Sequence, residues 1–143
     1  MIQAARSGKQ NIIEGSLASG HPKETEIELT GVARASLEEL LEDYRDFLRM
    51  REIEEWDKDH RHVKRMRQLN SAEASYDTFR RGIEHDNPGI AANVMIGLIK
   101  LTNFLFDRQL QSLERTFLKE GGLRERMTRA RIQARSLNDL PNQ

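Results

Sequence analysis

The chain has no cysteine. That excludes disulfides and thiolate metal ligands, and it suits a reducing compartment. Proline is scarce: Pro22, Pro88 and Pro141 are the only three, and no strand-like alternation lies between them. Aromatics are few, with a single tryptophan, Trp56. No apolar run approaches the ~20 residues that span a bilayer, and "MIQAARSGKQ" lacks the apolar region of a signal peptide. A soluble, cytoplasmic protein with no membrane partner is therefore expected. The 143 residues suit one domain over residues 1–137, which is long enough to bury a core. Residues 138–143 are expected to form a flexible tail.

Net charge is zero but unevenly spread. Residues 1–86 carry 14 Lys/Arg and 18 Asp/Glu, and residues 87–143 carry 9 and 5. The C-terminal part is thus net basic.

What is present reads as helix throughout. Residues 2–14 are small and apolar, with Gly15 as a C-terminal stop. A long helix is expected over 23–51, where Leu29, Ala33, Leu37, Leu40, Tyr44 and Phe47 recur at steps of three and four. Pro22 suits its first turn, and Glu24, Glu26 and Glu28 favour that end of the helix dipole. Residues 54–83 read as two short helices broken near 70–71, where Ser71 can cap. Asn87 and Pro88 open a second long helix. Its expected stripe is Val94, Leu98, Leu101, Leu105, Leu110, Leu113 and Phe117. Gly121 and Gly122 end or bend it. A final helix over 123–137 places Leu123, Met127, Ala130, Ala134 and Leu137 on one side.

The stretch "SLEELLEDYRDFLRMR" holds five carboxylates. At about 100° per residue, Glu38 and Glu42 fall opposite the apolar stripe, Glu39 and Asp46 lie well off it, and Asp43 sits near its edge. Arg34–Glu38 and Glu42–Arg45 have spacings that allow surface pairs. A carboxylate metal site in a bundle needs inward-facing Glu and Glu-x-x-His on separate helices. Only the overlapping Asp57-x-x-His60 and Asp59-x-x-His62 are offered, so no metal or cofactor is expected. "SGKQN" lacks the glycine and hydroxyl residue of a phosphate-binding loop, and no nucleophile elbow is present. His21 and His85 read as turn residues. These absences favour a non-enzymatic protein.

Two basic runs stand out as candidate nucleic-acid contacts. "KDHRHVKRMRQ" carries Arg61, Lys64, Arg65 and Arg67, and "LRERMTRARIQAR" carries Arg124, Arg126, Arg129, Arg131 and Arg135. Arginine's planar fork donates two hydrogen bonds to phosphate at once. The competing expectations are ordinary solvated helix faces, or docking of the arginine-rich helix on an acidic protein partner. Trp56 can stack a base or close one end of a core.

"NIIEG" (residues 11–15), a loop, then "VARASLEEL" (residues 32–40) resembles the four-helix-bundle family named after reading frames in 23S ribosomal RNA intervening sequences. "KETEIELTGVARASLEELLEDYRDFLR" and "AANVMIGLIKLTNFLFDRQLQSLERTFLKEGGLRERM" are closer to its bacterial four helix bundle suffix domain branch. The resemblance covers most of residues 1–135, with 52–86 only loosely matched. It implies an all-α, up-and-down four-helix bundle with two long helices, short connecting helices and a basic C-terminal helix, often assembled as a pentameric homo-oligomer. A related group binds nucleic acid and a reverse transcriptase. No catalytic residue carries over. Asn11, Glu14, Ser36 and Glu39 match motif positions with a structural role. Small Ala4, Ala5, Ser7, Gly8, Ala35 and Ser36 are expected to let two helices approach closely. The resemblance places Met1 inside the family's second helix, as for a fragment, a start assigned late or a vacancy filled by another element, and a missing first helix would leave an apolar groove along Ile12, Leu40 and Leu101. Such a patch rarely stays bare, so the chain is expected to self-associate or to fold its last helix into the gap.

Overall fold

A computed structural model describes residues 2–17, 23–69, 73–121 and 123–138, except for the side chains of 12–17, 123–124 and 137–138. The expected cap at Ser71, the loop around His21 and Pro22, and the tail beyond 138 lie outside the described residues. Everything regular within them is helical: α1 (Ile2–Leu17), α2 (Lys23–Arg49), α3 (Arg61–Gln68), α4 (Tyr76–Ile83), α5 (Pro88–Glu120) and α6 (Leu123–Asn138). Gly15 does not stop α1, which runs on to Leu17; a helix tolerates an interior glycine at a cost of only ~1 kcal/mol. The short helices are also shorter than expected, because residues 53–60 are non-helical.

Helix α2 is the centre of the fold and packs against both α1 and α5. Its contact with α1 follows from small residues. Ala4, Gly8, Ala33 and Ser36 are buried, and a Cβ at Gly8 would stand only 3.6 Å from Ser36 Cβ. Ser36 Oγ donates to Ser7 Oγ at 3.2 Å, and Asn11 Nδ2 donates to the Ser7 carbonyl at 2.8 Å. The structural role expected of Asn11 and Ser36 is thus seen, whereas Ala5 and Ala35 face outward.

Helix α5 runs antiparallel to α2. Lys23 meets Glu120 at 2.5 Å, Arg34 meets Asp107 at 2.5 Å, and Asn103 Nδ2 donates to Glu38 Oε2 at 3.0 Å. Leu40, Leu41 and Leu48 of α2 close the core with Ala4, Ala92, Ile96 and Ile99, flanked by Leu37, Tyr44, Phe47 and Ile53. Asn87 caps α5 as expected, its Oδ1 accepting from Gly89 N at 2.9 Å. Gly121, at φ 72°, ends it.

The buried face of α5 differs from the expected one. Gly89, Ala92, Asn93, Val94, Ile96, Ile99 and Asn103 are buried, while Leu98 and Leu101 are half-buried and Leu105 is 54% exposed. The first half of α5 is apolar on most sides, so a leucine stripe does not single out a face. By length and composition this helical stretch also holds a segment able to cross a membrane, which the expectation of no long apolar run missed. A core helix has the same composition, and α5 packs against α2, α3 and α4.

Two glycines let the short helices reach α5. A Cβ at Gly82 of α4 would lie 2.8 Å from Val94 Cγ2 and 3.4 Å from Val94 Cβ. A Cβ at Gly97 of α5 would overlap the terminal methyl of Met66. Val94 is branched at Cβ and cannot yield, whereas Met66 can swing aside. Gly82→Ala is therefore expected to lower the thermal midpoint by several degrees, about 1–3 kcal/mol of overpacking. Gly97→Ala should stay near wild type, because ~1 kcal/mol of helix propensity offsets the displaced methionine. Thermal melts of the two variants check the contrast.

Helix α6 does not fold into a gap beside the core. Apart from half-buried Arg126, every described side chain from Glu125 to Ser136 is exposed, including Met127 and Ile132. The alternative that this helix covers an apolar groove is thus corrected. Ile12, part of that expected groove, lies outside the described side chains, and Leu40 is buried rather than bare.

Candidate functional site

The carboxylates of α2 face water as expected. Glu38, Glu39, Glu42 and Asp46 are exposed and Asp43 is half-buried. Glu38 lies 4.0 Å from Arg34, and Glu42 pairs with Arg45 at 2.5 Å. Among the described residues no three His, Asp or Glu side chains converge to hold a metal. Asp57 Oδ1 instead accepts from the backbone N–H of Asp59 at 2.8 Å.

The chemistry gathers around α3. Asn93, buried on α5, fixes the segment that leads into it. Its Oδ1 accepts from Trp56 N at 2.8 Å, and its Nδ2 donates to the carbonyls of Glu54 at 3.1 Å and Gly89 at 3.0 Å. Glu55 ties the same segment to both long helices, through Lys100 at 2.5 Å and Arg45 at 3.1 Å. Burial pushes the Glu55 carboxyl up, but Lys100 and Arg45 outweigh it and hold it below its ordinary range. His60 caps α3, its Nδ1 accepting from His62 N at 3.3 Å. Its ring stacks on Trp56 with centroids 4.3 Å apart and planes 4° apart. One face of the indole is therefore occupied by the protein's own imidazole, which weakens the case for base stacking there.

Beyond His60, α3 and α4 enclose a cleft of about 610 Å³ against α5. Its basic wall is Arg61, His62, Arg65, Arg81 and His85, its aromatic edge is Trp56 and Phe79, and Met66, Leu69, Ile90 and Val94 form the apolar floor. Among the described residues no carboxylate lines it. Among the described residues, Arg61, Arg65 and Arg81 have no carboxylate partner. Burial pushes the His62 imidazole below its ordinary pKa, and the charges of Arg61, His60 and Arg65 push it the same way. His85 Nδ1 accepts from Asn87 N at 2.9 Å, which leaves its Nε2 as the hydrogen-bond donor.

The nine basic residues singled out in the sequence fall in different places. Arg61 and Arg65 line this cleft. Lys64 sits 3.3 Å from Asp59, and Arg67 lines a separate groove on the other side of α3. On α6, Arg129 donates to the Glu120 carbonyl at 2.5 Å, and Arg126 lies 4.0 Å from the Glu120 carboxylate. Arg131 and Arg135 are exposed, and the side chain of Arg124 is outside those described. The two runs do not form one surface. From Gly97, against which Met66 rests, to Gly121 the rise of α5 is about 36 Å.

Arg81 and Phe79 were not singled out in the sequence, and His85, read there only as a turn residue, lies in the turn after α4 and also lines the cleft. One signal was available: Glu84 stands four residues after Arg80 and pairs with it at 3.0 Å, leaving Arg81 as the unmatched member of "RR".

No family model, curated protein or solved structure matches the chain.

Proposed function

We propose that this chain is a non-enzymatic helical scaffold that binds the phosphate backbone of RNA or DNA in the cleft beside α3. The observation that carries the reading is the cleft itself: three guanidinium groups and two imidazoles with no lining carboxylate among the described residues. Guanidinium forks match phosphate oxygens bidentately. With His60 covering Trp56, contact with phosphate outweighs base readout, so little sequence preference is expected. The resemblance to a bundle family with nucleic-acid-binding relatives agrees with this.

The same proposal includes a cytoplasmic setting and self-association into a ring of up-and-down bundles. Ile2 (72%), Val32 (44%), Leu105 (54%) and Leu118 (81%) are exposed apolar side chains that a neighbouring copy would cover. A second reading, docking on an acidic protein, is favoured by α6, whose Arg131 and Arg135 are exposed. It predicts a protein that co-purifies and is lost when these two become Glu.

The direct test is fluorescence anisotropy of a short labelled oligonucleotide at low salt, repeated as pH falls from ~7.5 to ~6. His62, though exposed, resists protonation because of local desolvation and because Arg61, His60 and Arg65 lie beside it, with Arg81 and His85 across the cleft. A bound phosphate reverses that repulsion, so binding takes up a proton and tightens as pH falls. The free protein responds oppositely. The native imidazole holds a depressed pKa, so the unfolded chain takes up the proton first and stability falls with pH through that range. Absence of binding at every pH would remove the proposal.

A further inference from the structure

On the opposite side of α3 lies a second cavity, a groove of about 480 Å³ between α3 and α5. It exists because α3 rests on α5 through Met66 against Gly97, leaving space beside that contact. Its walls are apolar: Val63, Met66, Ile96, Leu101 and Phe104, with Trp56 at one end. Phe104 is 57% exposed and Ile96 is 2% exposed, so the groove runs from surface to core.

Its charged rim is unbalanced. Among the described residues Lys58, Arg67 and Lys100 face one acid, Asp57. Lys100 is engaged by Glu55. Lys58 and Arg67 have no carboxylate partner among the described residues. The size and the mainly apolar lining with a few polar groups are those of a small-molecule site.

We infer that this groove binds an amphipathic carboxylate, with the apolar body along Met66, Leu101 and Phe104 and the anionic head on Lys58 and Arg67. A phosphate backbone has no apolar body to offer these walls. Helix α6 of a second copy carries Arg126, Arg129, Arg131 and Arg135 and meets like charge at the rim. The inference is independent of the nucleic-acid reading, because Arg61, Arg65 and Arg81 lie across α3.

The sole tryptophan, Trp56, lines the groove and also edges the cleft across α3, so its emission reports binding and the variants below assign it to one side. Titration with dodecanoate should shift Trp56 emission saturably, at one molecule per chain. Dodecyltrimethylammonium, with the same tail and the opposite charge, should bind more weakly by roughly tenfold or more. The exposed pair Lys58→Gln and Arg67→Gln should weaken dodecanoate by a similar factor and cost oligonucleotide binding much less than Arg61→Gln with Arg65→Gln does. Equal binding of the two detergents would mean nonspecific apolar adsorption and overturn the inference. So would the absence of a saturable change. Light scattering that shows dodecanoate only dissociating an oligomer would assign the groove to a second copy, and that also overturns it.

Discussion

Leu40→Asp is expected to abolish the cooperative thermal unfolding transition. Leu40 is 6% exposed and sits in the cluster joining α1, α2 and α5. Truncating a buried leucine already costs about 2–5 kcal/mol. A carboxylate there has no partner, and burying it adds several more or forces it to take up a proton. Against a total stability of roughly 5–15 kcal/mol, the native state should be lost. Circular dichroism melts read this directly. Leu101→Asp, by contrast, should remain folded, because Leu101 is half-buried at the groove wall. Two surface controls should also separate. Glu42→Ala removes exposed pairs with Arg45 and Arg49, worth about 0–1 kcal/mol. Glu38→Ala also leaves the buried Asn103 amide without its acceptor, so it should cost more, about 1–3 kcal/mol. A Leu40→Asp variant melting within a few degrees of wild type would mean that the core lies elsewhere.

The second large effect concerns binding. Arg61→Glu, Arg65→Glu and Arg81→Glu together should reduce affinity for a single-stranded oligonucleotide by on the order of 10²-fold or more at moderate salt. The slope of log affinity against log salt should become shallower by about 2, three phosphates at ~0.7 each. All three side chains are exposed, so the fold should be kept, which a melt verifies. The matching reversal on α6, Arg131→Glu with Arg135→Glu, should have the smaller effect, because those groups do not line the cleft. If the α6 variant lost binding and the cleft variant kept it, the interface would be the C-terminal helix.

How much of this was legible in the sequence depended on how unambiguous each pattern was. The outward acids of α2 were readable, since their positions follow from 3.6-residue periodicity against a clear apolar stripe. The ends of α5 were readable from Asn87, Pro88 and Gly121, whose backbone and capping chemistry is local. The buried face of α5 was not. Leu98, Leu101 and Leu105 looked like the core stripe, whereas Asn93 and Asn103 occupy the inward face. Asn93 does so because its amide satisfies the backbone of residues 54 and 56 and of Gly89, a tertiary role that no periodicity encodes. The cleft was half readable. Arg61 and Arg65 come from one basic run, but Arg81 and His85 join them only because Gly82 lets α4 settle on Val94. The α6 run carries the same residue type in a similar spacing and ends up at the far end of α5.

The central claim is that the cleft beside α3 holds nucleic acid by its phosphates. The salt dependence of oligonucleotide affinity for the native chain tests it most directly. A straight decline of log affinity with log salt, with a slope of about −2 or steeper, is the predicted result. Affinity that does not change with salt, or no binding at the lowest salt, would contradict it.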